Sequence, residues 1–354
     1  MKLSKRETSM LPKIVDWNQS CLHILDQSLL PREEVQLKLR TPNEVSTAIK
    51  EMKIRGAPAI GIAAAYGLLL AAINSRDQEY AELINNLKFT YNDLMNTRPT
   101  AFNLKWALDR MMALAISTSS KDQIEHLLAK EARNIHKQTE ESDIAISELG
   151  ATLLQQGSKI LTHCNTGALA TGGQGTALGI IRKAWELGLV DHVIATETRP
   201  WLQGARLTAW ELKRASIPFT IIVDSAAAHL MDVTQINCVI VGADRIASNG
   251  DTANKIGTRS LAILASESNI PFYVAAPSST VDLSINHGHQ IIVEDRPAEE
   301  VTSLNGISIT PPDTHAFNPA FDITPHRYIN AIVTDKGIAL PPYEFSLTKL
   351  VHND

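Results

Sequence analysis

The sequence predicts an α/β protein in two parts, a mostly helical domain with a small antiparallel sheet over residues 1–150 and a parallel-sheet domain over residues 151–354. After Gly157, short and continuously apolar strands alternate with helical segments, which is typical of a parallel sheet covered by helices on both faces. Before that residue, apolar side chains recur at helical spacing instead. The length of 354 residues also favours two domains over one.

The N-terminal part begins with short apolar runs, Ile14–Trp17 and Cys21–Gln27, which are separated by turn residues and predict a small antiparallel sheet. Thr41 is followed by proline and, three residues later, by Glu44, the pattern of a helix start closed by a capping box. Four or five helices are expected from there to the linker, which we place near Leu149–Gly157.

The apolar stretch Ala57–Ile73 resembles a membrane span at first sight. It has about 17 residues and is interrupted by Gly61 and Gly67, so it falls short of the ~20 apolar residues that a span requires. We interpret it as a buried helix. Because the first ten residues also lack the apolar core of a signal peptide, the sequence predicts a cytoplasmic protein with no membrane partner.

Five parallel strands are predicted in the C-terminal part: Lys159–His163, His192–Glu197, Phe219–Asp224, Cys238–Asp244 and Pro271–Pro277. The expected helices between them run from Gly175 to Leu187, Ala205 to Arg214, Ala226 to Met231 and Lys255 to Ala265. Ligands bind outside the carboxyl ends of the strands in such sheets. The polar residues at those ends are therefore candidates for a site: Cys164, Glu197, Thr198, Arg199, Asp224, Ser225, Asp244, Arg245, Ser278 and Ser279.

A glycine-rich loop, Cys164–Gly175, joins the first of these strands to a helix and contains four glycines in twelve residues. Glycines let backbone N–H groups approach an anion closely, and the following helix adds a favourable dipole. The spacing matches neither the dinucleotide fingerprint nor the phosphate loop of ATP-binding proteins, and both NAD and ATP are disfavoured. A flexible turn without a ligand is the alternative.

Cys164 and Asp244 are the strongest candidates for chemistry. Cys164 lies where a strand meets the glycine-rich loop, a place where the pKa of a thiol can be lowered, although most single cysteines are buried and inert. Asp244 follows an apolar strand, where a carboxyl group suits general acid or base catalysis, although most aspartates form ion pairs or turns. His163 precedes the cysteine, but the alternation of side chains along a strand argues against a direct Cys–His pair.

Several basic and amide side chains could bind an anion. Arg55 begins the turn Arg55-Gly56-Ala57-Pro58, Arg98 and Arg199 each precede a proline, and Asn254-Lys255 stands at the predicted start of a helix. Each of these patterns is weak alone, since a tight turn or a solvated charge explains it equally well.

Composition excludes other classes of function. The net charge of -5 and the absence of clustered basic residues argue against nucleic acid as a partner. The cysteines number three and show no metal-ligand spacing, so neither disulfides nor a metal site is indicated. No cofactor motif is found either.

Taken together, the motifs resemble the methylthioribose-1-phosphate isomerase family of methionine salvage. The resemblance runs from about Trp17 to Tyr343 and is carried by these segments: Arg55–Gly61, Thr162–Gly167, Glu197–Pro200, Gln203–Thr208, Gly242–Arg245, Asn249–Asp251 and Asn254–Thr258. It implies a helical domain with a small sheet, a Rossmann-like catalytic domain, a homodimer and neither metal nor cofactor. The implied catalytic residues are Cys164 and Asp244, and the implied phosphate- and sugar-binding positions are Arg55, Gly56, Ala57, Arg98, Gln203, Asn254 and Lys255.

The resemblance further implies conversion of 5-methylthioribose 1-phosphate, an aldose, into 5-methylthioribulose 1-phosphate, a ketose. Two relatives share the scaffold: ribose-1,5-bisphosphate isomerase, and the regulatory subunits of the eukaryotic translation initiation exchange factor, which are binding modules. Both the Cys164 and the Asp244 motifs are intact, which disfavours the binding module. Whether hydrogen moves as a proton or as a hydride is left open by the sequence.

Overall fold

The computed structural model describes residues 12–18, 20–304 and 306–352. The first ten residues, on which the prediction about a signal peptide rests, therefore lie outside the described part. The described residues form two compact units, one of residues 12–144 with 166–175 and the other of residues 145–165 with 176–352. The glycine-rich loop thus belongs, from Thr166 onwards, to the first unit.

The first unit contains the antiparallel sheet that the N-terminal runs predict. Its strands pair in the order β1-β2-β3, with Trp17 opposite Leu22 and Leu22 opposite Leu39. The strands are β1 (Val15–Asn18), β2 (Cys21–Leu25) and β3 (Gln36–Leu39). Six helices lie wholly or, in the case of α5, mostly in this unit, and five of them precede Gly157 as expected: α1 (Pro42–Lys50), α2 (Ala57–Asn74), α3 (Tyr80–Met95), α4 (Phe102–Ser117), α5 (Lys121–Ala151) and α6 (Ala168–Thr171).

Helix α1 begins with the predicted capping box. The Thr41 hydroxyl accepts a hydrogen bond from the Glu44 amide at 3.2 Å, and the Glu44 carboxylate accepts one from the Thr41 amide at 2.9 Å. These two bonds satisfy donors that the first turn would otherwise leave open.

Helix α2 is the buried apolar helix that the sequence predicts. Among the described helices it is the one long and apolar enough to cross a membrane, and 83% of it is buried within the protein. Gly61 faces α4 so closely that a Cβ atom there would lie 2.9 Å from the Asn103 carbonyl oxygen. Tyr66 stacks on Trp17 of β1 with ring centroids 5.0 Å apart. The apolar length of α2 is therefore used in packing.

The second unit is built on a seven-stranded sheet in the order β16-β15-β10-β7-β4-β5-β6. All neighbours are parallel except β16, which pairs antiparallel with β15. The strands are β4 (Ser158–Thr162), β5 (Val190–Thr196), β6 (Phe219–Ile222), β7 (Cys238–Val241), β10 (Phe272–Ala275), β15 (Ala331–Thr334) and β16 (Gly337–Ala339). The first five confirm the predicted strands, whereas the series does not end at Pro277 as expected, because β15 and β16 extend it.

The strands of this sheet are buried on both faces, as their apolar runs predict. Leu161 and Val239 belong to one hydrophobic cluster, and their neighbours Ile160 and Ile240 belong to another on the opposite face. The helices of this unit are α7 (Ala177–Glu186), α8 (Ala209–Arg214), α9 (Ala227–Val233), α10 (Thr258–Glu267), α11 (Glu299–Thr302) and α12 (Tyr343–His352). A π-helical turn, Gly204–Thr208, leads directly into α8.

A smaller four-stranded sheet, ordered β11-β8-β9-β14, corrects two expectations. The segment after Asp244 is not only a polar loop, because it contains β8. Asn254 and Lys255 lie on β9 and not at a helix start, since α10 begins three residues later, at Thr258. The strands are β8 (Arg245–Ala247), β9 (Thr252–Lys255), β11 (Val281–Asp282) and β14 (Phe321–Thr324), and a separate hairpin consists of β12 (Ser303–Leu304) and β13 (Ile307–Ser308).

Candidate active site

The order of the parallel strands reverses between β4 and β7. From β4 the chain proceeds to β5 and β6 on one side, and it then returns to β7, β10 and β15 on the other. A crevice opens at the carboxyl ends of the strands at such a switch point and is the usual ligand site of this architecture. Cys164 follows the end of β4 at Thr162, and Asp244 follows the end of β7 at Val241. Since Thr162 pairs with Ile240, the two candidate catalytic residues follow neighbouring strands at one sheet edge.

Cys164 is held in place on several sides. Its backbone has φ of 67°, a left-handed conformation that non-glycine residues rarely adopt and that recurs at functional sites. Its amide donates to the Thr198 hydroxyl at 2.9 Å, and its carbonyl accepts from the Thr208 hydroxyl at 2.7 Å. Its sulfur accepts from Nε2 of Gln203 at 3.4 Å. These bonds fix both the backbone and the sulfur of Cys164 in position.

Gln203 brings an unused acceptor to the same place. The residue is 3% exposed, and its Oε1 is buried without a hydrogen-bond partner among the described residues. A buried polar atom without a partner is uncommon and is typical of a place that a ligand fills. Gly204 permits this placement, because a Cβ atom there would lie 1.9 Å from the Thr196 carbonyl oxygen.

His163 does not pair with Cys164, in agreement with the prediction from strand alternation. Its Nδ1 lies 2.6 Å from the Thr196 hydroxyl, and its Nε2 lies 2.9 Å from the Ile256 carbonyl oxygen. Burial lowers the pKa of His163 below its ordinary value, which favours the neutral imidazole. Because a carbonyl oxygen can only accept, Nε2 carries the proton and Nδ1 accepts from Thr196.

Asp244 is half-buried and lies between β7 and β8. Its amide donates to the Ala253 carbonyl at 2.9 Å, which ties it to β9. The next residue, Arg245, forms an ion pair with Asp282, with Nε 2.9 Å from Oδ2. Burial raises the pKa of Asp282, but hydrogen bonds from Ser284 and Arg245 hold it below its ordinary value. The Asp244–Arg245 segment is therefore anchored to β9 on one side and to β11 on the other.

Asn254 and Lys255 follow on β9 and are braced by α10. The Asn254 amide donates to the Thr258 hydroxyl at 2.9 Å, which in turn donates to the Lys255 carbonyl at 2.6 Å. The Lys255 ammonium lies 5.0 Å from the centroid of the Phe321 ring. Asp322 accepts hydrogen bonds from the amides of Gly257 and Arg259, at 2.8 and 3.0 Å, and so caps the start of α10.

The remaining candidates lie in the first unit. Arg55 is buried at 7% exposure, and Gly56 has φ of 92°. A Cβ atom on Gly56 would lie 2.3 Å from the Ala170 carbonyl oxygen, so only glycine allows the Arg55-Gly56-Ala57 turn to pack on α6. An Arg98 guanidinium nitrogen lies 3.5 Å from the Met52 sulfur. The turn and the glycine-rich loop are thus in direct contact within this unit.

Asp143 is a residue of the loop's surroundings that the sequence reading missed. It is fully buried, and its Oδ2 accepts from the Thr171 hydroxyl at 2.5 Å and from the amides of Gln174 and Gly175, both at 2.8 Å. Two amides of the glycine-rich loop therefore bind a carboxyl group of the protein itself. Burial raises the pKa of Asp143 to about 6. The sequence contained one signal for Asp143: it lies three positions before the apolar Ile146 and therefore on the same, buried face of α5.

Two other strand-end residues have structural partners. Asp224 accepts from the amides of Thr198 and Arg199, at 2.8 and 2.7 Å. The Arg199 guanidinium, which the sequence suggested as an anion-binding group, donates to the carbonyls of Pro200 and Val301. Within the described ranges, no group of three or more His, Cys, Asp or Glu side chains could hold a metal ion.

The initiation factor 2 subunit family matches residues 53–341. A methylthioribose-1-phosphate isomerase of Acetivibrio thermocellus is 51% identical over 341 residues, which cover 95% of this chain and 99% of that protein. One from Carboxydothermus hydrogenoformans is 49% identical over 336 residues, with 94% and 97% covered.

Two solved structures resemble the fold closely. The 5-methylthioribose 1-phosphate isomerase of Pyrococcus horikoshii OT3 superposes with a TM-score of 0.90 at 42% identity and covers 100% of this chain and 99% of its own. The second, named translation initiation factor eIF-2B, subunit delta, from A. fulgidus, has a TM-score of 0.84 at 39% identity, with 96% and 99% covered.

Proposed function

The chain belongs to the initiation factor 2 subunit family, and we propose that it interconverts 5-methylthioribose 1-phosphate and 5-methylthioribulose 1-phosphate by means of Cys164 and Asp244. The observation that carries the proposal is the position of these two residues, which follow the two strands on either side of the switch point. The isomerases at 51% and 49% identity, each matched over nearly its whole length, support the same substrate.

The difficulty of the reaction lies in the phosphate on the anomeric carbon. It locks the sugar in its ring form, so no free aldehyde exists until the ring opens. Asp244 is proposed to protonate the ring oxygen and then to serve as acid and base across C1 and C2. Cys164 is proposed to assist the transfer from C2 to C1, as a base or by stabilising the transition state. The Gln203 amide, 3.4 Å from the sulfur, would hold it in position for that role.

The substrate itself is proposed to be held by side chains and amides named above. The phosphate and the sugar hydroxyls are assigned to the following positions: Arg55, Gly56, Ala57, Arg98, Gln203, Asn254 and Lys255. The unpartnered Oε1 of Gln203 supports its part in this set, since a sugar hydroxyl would supply the missing donor.

The direct test is turnover of purified protein with methylthioribose 1-phosphate, compared with ribose 1,5-bisphosphate. We expect turnover of the first and little of the second, because a second phosphate would require further basic side chains. Absence of turnover with both would refute the isomerase and would favour a binding module like the named translation initiation factor.

The catalytic pair is tested by conservative replacement. Cys164→Ser and Asp244→Asn should each lower kcat by about 100-fold or more while leaving the unfolding midpoint nearly unchanged, because each removes reactive chemistry and little volume. The matched controls are Cys21→Ser on β2 and Asp232→Asn, an exposed residue of α9. A near-wild-type rate in either test variant would remove that residue from the mechanism.

The path of the hydrogen is tested by isotope exchange. Turnover in deuterated water would introduce deuterium at C1 of the ketose if a proton passes through an enediol and exchanges with solvent. Complete retention of the C2 hydrogen would instead favour hydride transfer within the substrate.

A homodimer in the cytoplasm belongs to the same proposal. The homodimer, though not the location, is supported by large apolar side chains exposed in the second unit, among them Ile292, Ile307 and Phe317 at 74, 70 and 81%. Such surface is typical of an interface with another chain. Sedimentation equilibrium should return twice the mass of 38.7 kDa, and a monomer at micromolar concentration would contradict the proposal.

A further inference from the structure

An unbroken chain of hydrogen bonds crosses the second unit from Cys164 to Ile256. The Cys164 amide lies 2.9 Å from the Thr198 hydroxyl, and that hydroxyl lies 2.9 Å from the Thr196 hydroxyl. The Thr196 hydroxyl lies 2.6 Å from Nδ1 of His163, whose Nε2 lies 2.9 Å from the Ile256 carbonyl oxygen. All three side chains are at most 2% exposed, so water cannot replace any member of the chain.

The two ends of the chain set the direction of every proton in it. A backbone amide can only donate, and a carbonyl oxygen can only accept. With a neutral imidazole protonated at Nε2, the Thr196 hydroxyl donates to Nδ1 of His163 and the Thr198 hydroxyl donates to the Thr196 hydroxyl at 2.9 Å. The Thr196 carbonyl oxygen, at 3.3 Å, is a second and longer acceptor for the Thr198 hydroxyl. Each hydroxyl then both donates and accepts, and no buried polar atom in the chain lacks a partner. A buried network in which every member is satisfied makes its surroundings rigid.

Each end of the chain is joined to a part of the proposed active site. At one end the amide belongs to Cys164 itself, whose left-handed backbone conformation requires a firm hold. At the other end, Ile256 directly follows Lys255 and precedes Gly257, which is left-handed with φ of 102°. The imidazole also packs on this turn, since a Cβ atom on Gly257 would lie 3.1 Å from Cε1 of His163.

We propose that His163 is a positioning residue that fixes the Cys164 backbone through Thr196 and Thr198 and fixes Asn254 and Lys255, at the end of β9, through Ile256. The inference rests on the proposed function, which assigns catalysis to Cys164 and substrate binding to Asn254 and Lys255. Both ring nitrogens of His163 are engaged by Thr196 and Ile256, so its role is to position other residues. It sets the spacing between the residue that reacts and the residues that bind.

Two amide variants separate the two arms. In His163→Asn, the side-chain oxygen takes the place of Nδ1 and still accepts from Thr196, but no donor reaches Ile256. In His163→Gln, the amide nitrogen takes the place of Nε2 and still donates to Ile256, but the acceptor for Thr196 is lost. Thr198→Val removes the hydroxyl that holds the Cys164 amide, and Thr198→Ser, which keeps it, is the conservative control.

The expected results differ between the arms. His163→Asn should raise KM by about tenfold and leave kcat within about twofold, because only the end of β9 that carries Asn254 and Lys255 is loosened. His163→Gln and Thr198→Val should each lower kcat by about tenfold with KM nearly unchanged. Thr198→Ser should have a kcat close to that of the wild type, because it keeps the hydroxyl. A purely structural role would lower the unfolding midpoint of all three alike without separating KM from kcat. Parallel changes in both parameters, or wild-type values throughout, would overturn the proposal.

A second readout does not depend on catalysis. Alkylation of Cys164 by iodoacetamide, followed by peptide mass spectrometry, should be several-fold faster in His163→Gln and Thr198→Val than in the wild type, because the loosened backbone opens more often. His163→Asn should label at the wild-type rate. If the wild type failed to turn over the sugar phosphate, the proposed function would fall, whereas this pattern would still support the arm to Cys164. Equal labelling in all variants would refute that arm.

Discussion

Replacing Asp143 by Asn should remove a pH-dependent term from the stability of the protein. The carboxyl group is fully buried, and its Oδ1 has no hydrogen-bond partner among the described residues. Its Oδ2 binds the Thr171 hydroxyl and the amides of Gln174 and Gly175. An Asn oxygen can accept the same three bonds, so the variant keeps the loop's anchor and removes the titration. The amide NH2 at the position of Oδ1 adds a cost that does not vary with pH.

The magnitude follows from the pKa of Asp143, which burial raises from 3.8 to about 6 in the folded protein. Between these values the folded state holds a proton that the unfolded state has lost, so folding becomes less favourable as the pH rises. The contribution is complete below pH 4 and is lost by about pH 7. Two units of pKa correspond to about 3 kcal/mol, or about 1.4 kcal/mol for each pH unit.

The assay is urea-induced unfolding at intervals from pH 4.5 to 7.5. The free energy of unfolding of the wild type, minus that of Asp143→Asn, should fall with rising pH up to about 6 and then level off. The exposed Asp77→Asn serves as the control for loss of one carboxyl group, and its difference from the wild type should vary far less over the same window. A constant difference for Asp143→Asn would refute the assignment of a protonated, buried carboxyl group.

Two further predictions concern backbone space and thiol chemistry. Gly56→Ala should destabilise the protein by about 2 kcal/mol or more and abolish substrate binding, because its Cβ would lie 2.3 Å from the Ala170 carbonyl oxygen. The control is Gly306→Ala, which is also left-handed but has nothing within 4 Å of the added Cβ and should cost less. Equal losses of stability in thermal unfolding would contradict the steric argument. Burial raises the pKa of Cys238 to about 12, so this thiol should resist alkylation by iodoacetamide at pH 8, whereas Cys164 should be labelled. Peptide mass spectrometry that found both cysteines labelled to the same extent would contradict this prediction.

The strands of the large sheet were predictable because a strand that is buried on both faces consists of a short, continuous run of apolar residues. The same reasoning located Cys164 and Asp244, since any residue just beyond such a run falls at the ligand-binding edge. It failed at β15 and β16, which are separated from β10 by a long excursion of short strands and turns. It also failed at Asn254 and Lys255, because β9 is stabilised by its partners β8 and β14 and carries no apolar run of its own.

Residues that act on the site through long-range hydrogen bonds left no local pattern. His163 was correctly separated from the thiol by strand alternation, yet its partners Thr196 and Ile256 lie 33 and 93 positions away. Asp143 reaches the glycine-rich loop across about 30 positions. Such pairs arise only when the topology brings the elements together, so a single sequence contains the residues without the pairing.

The anchor at Asp143 changes how the glycine-rich loop is understood. The glycines were expected to expose amides to an anion, but the amides of Gln174 and Gly175 already bind Asp143. Gly173 serves this anchor too, because a Cβ atom there would lie 2.5 Å from Oδ2 of the carboxyl group. The C-terminal half of the loop is therefore committed to its own structure. Within the same unit, the proposed phosphate-binding positions are therefore Arg55 and the Gly56 turn rather than these amides.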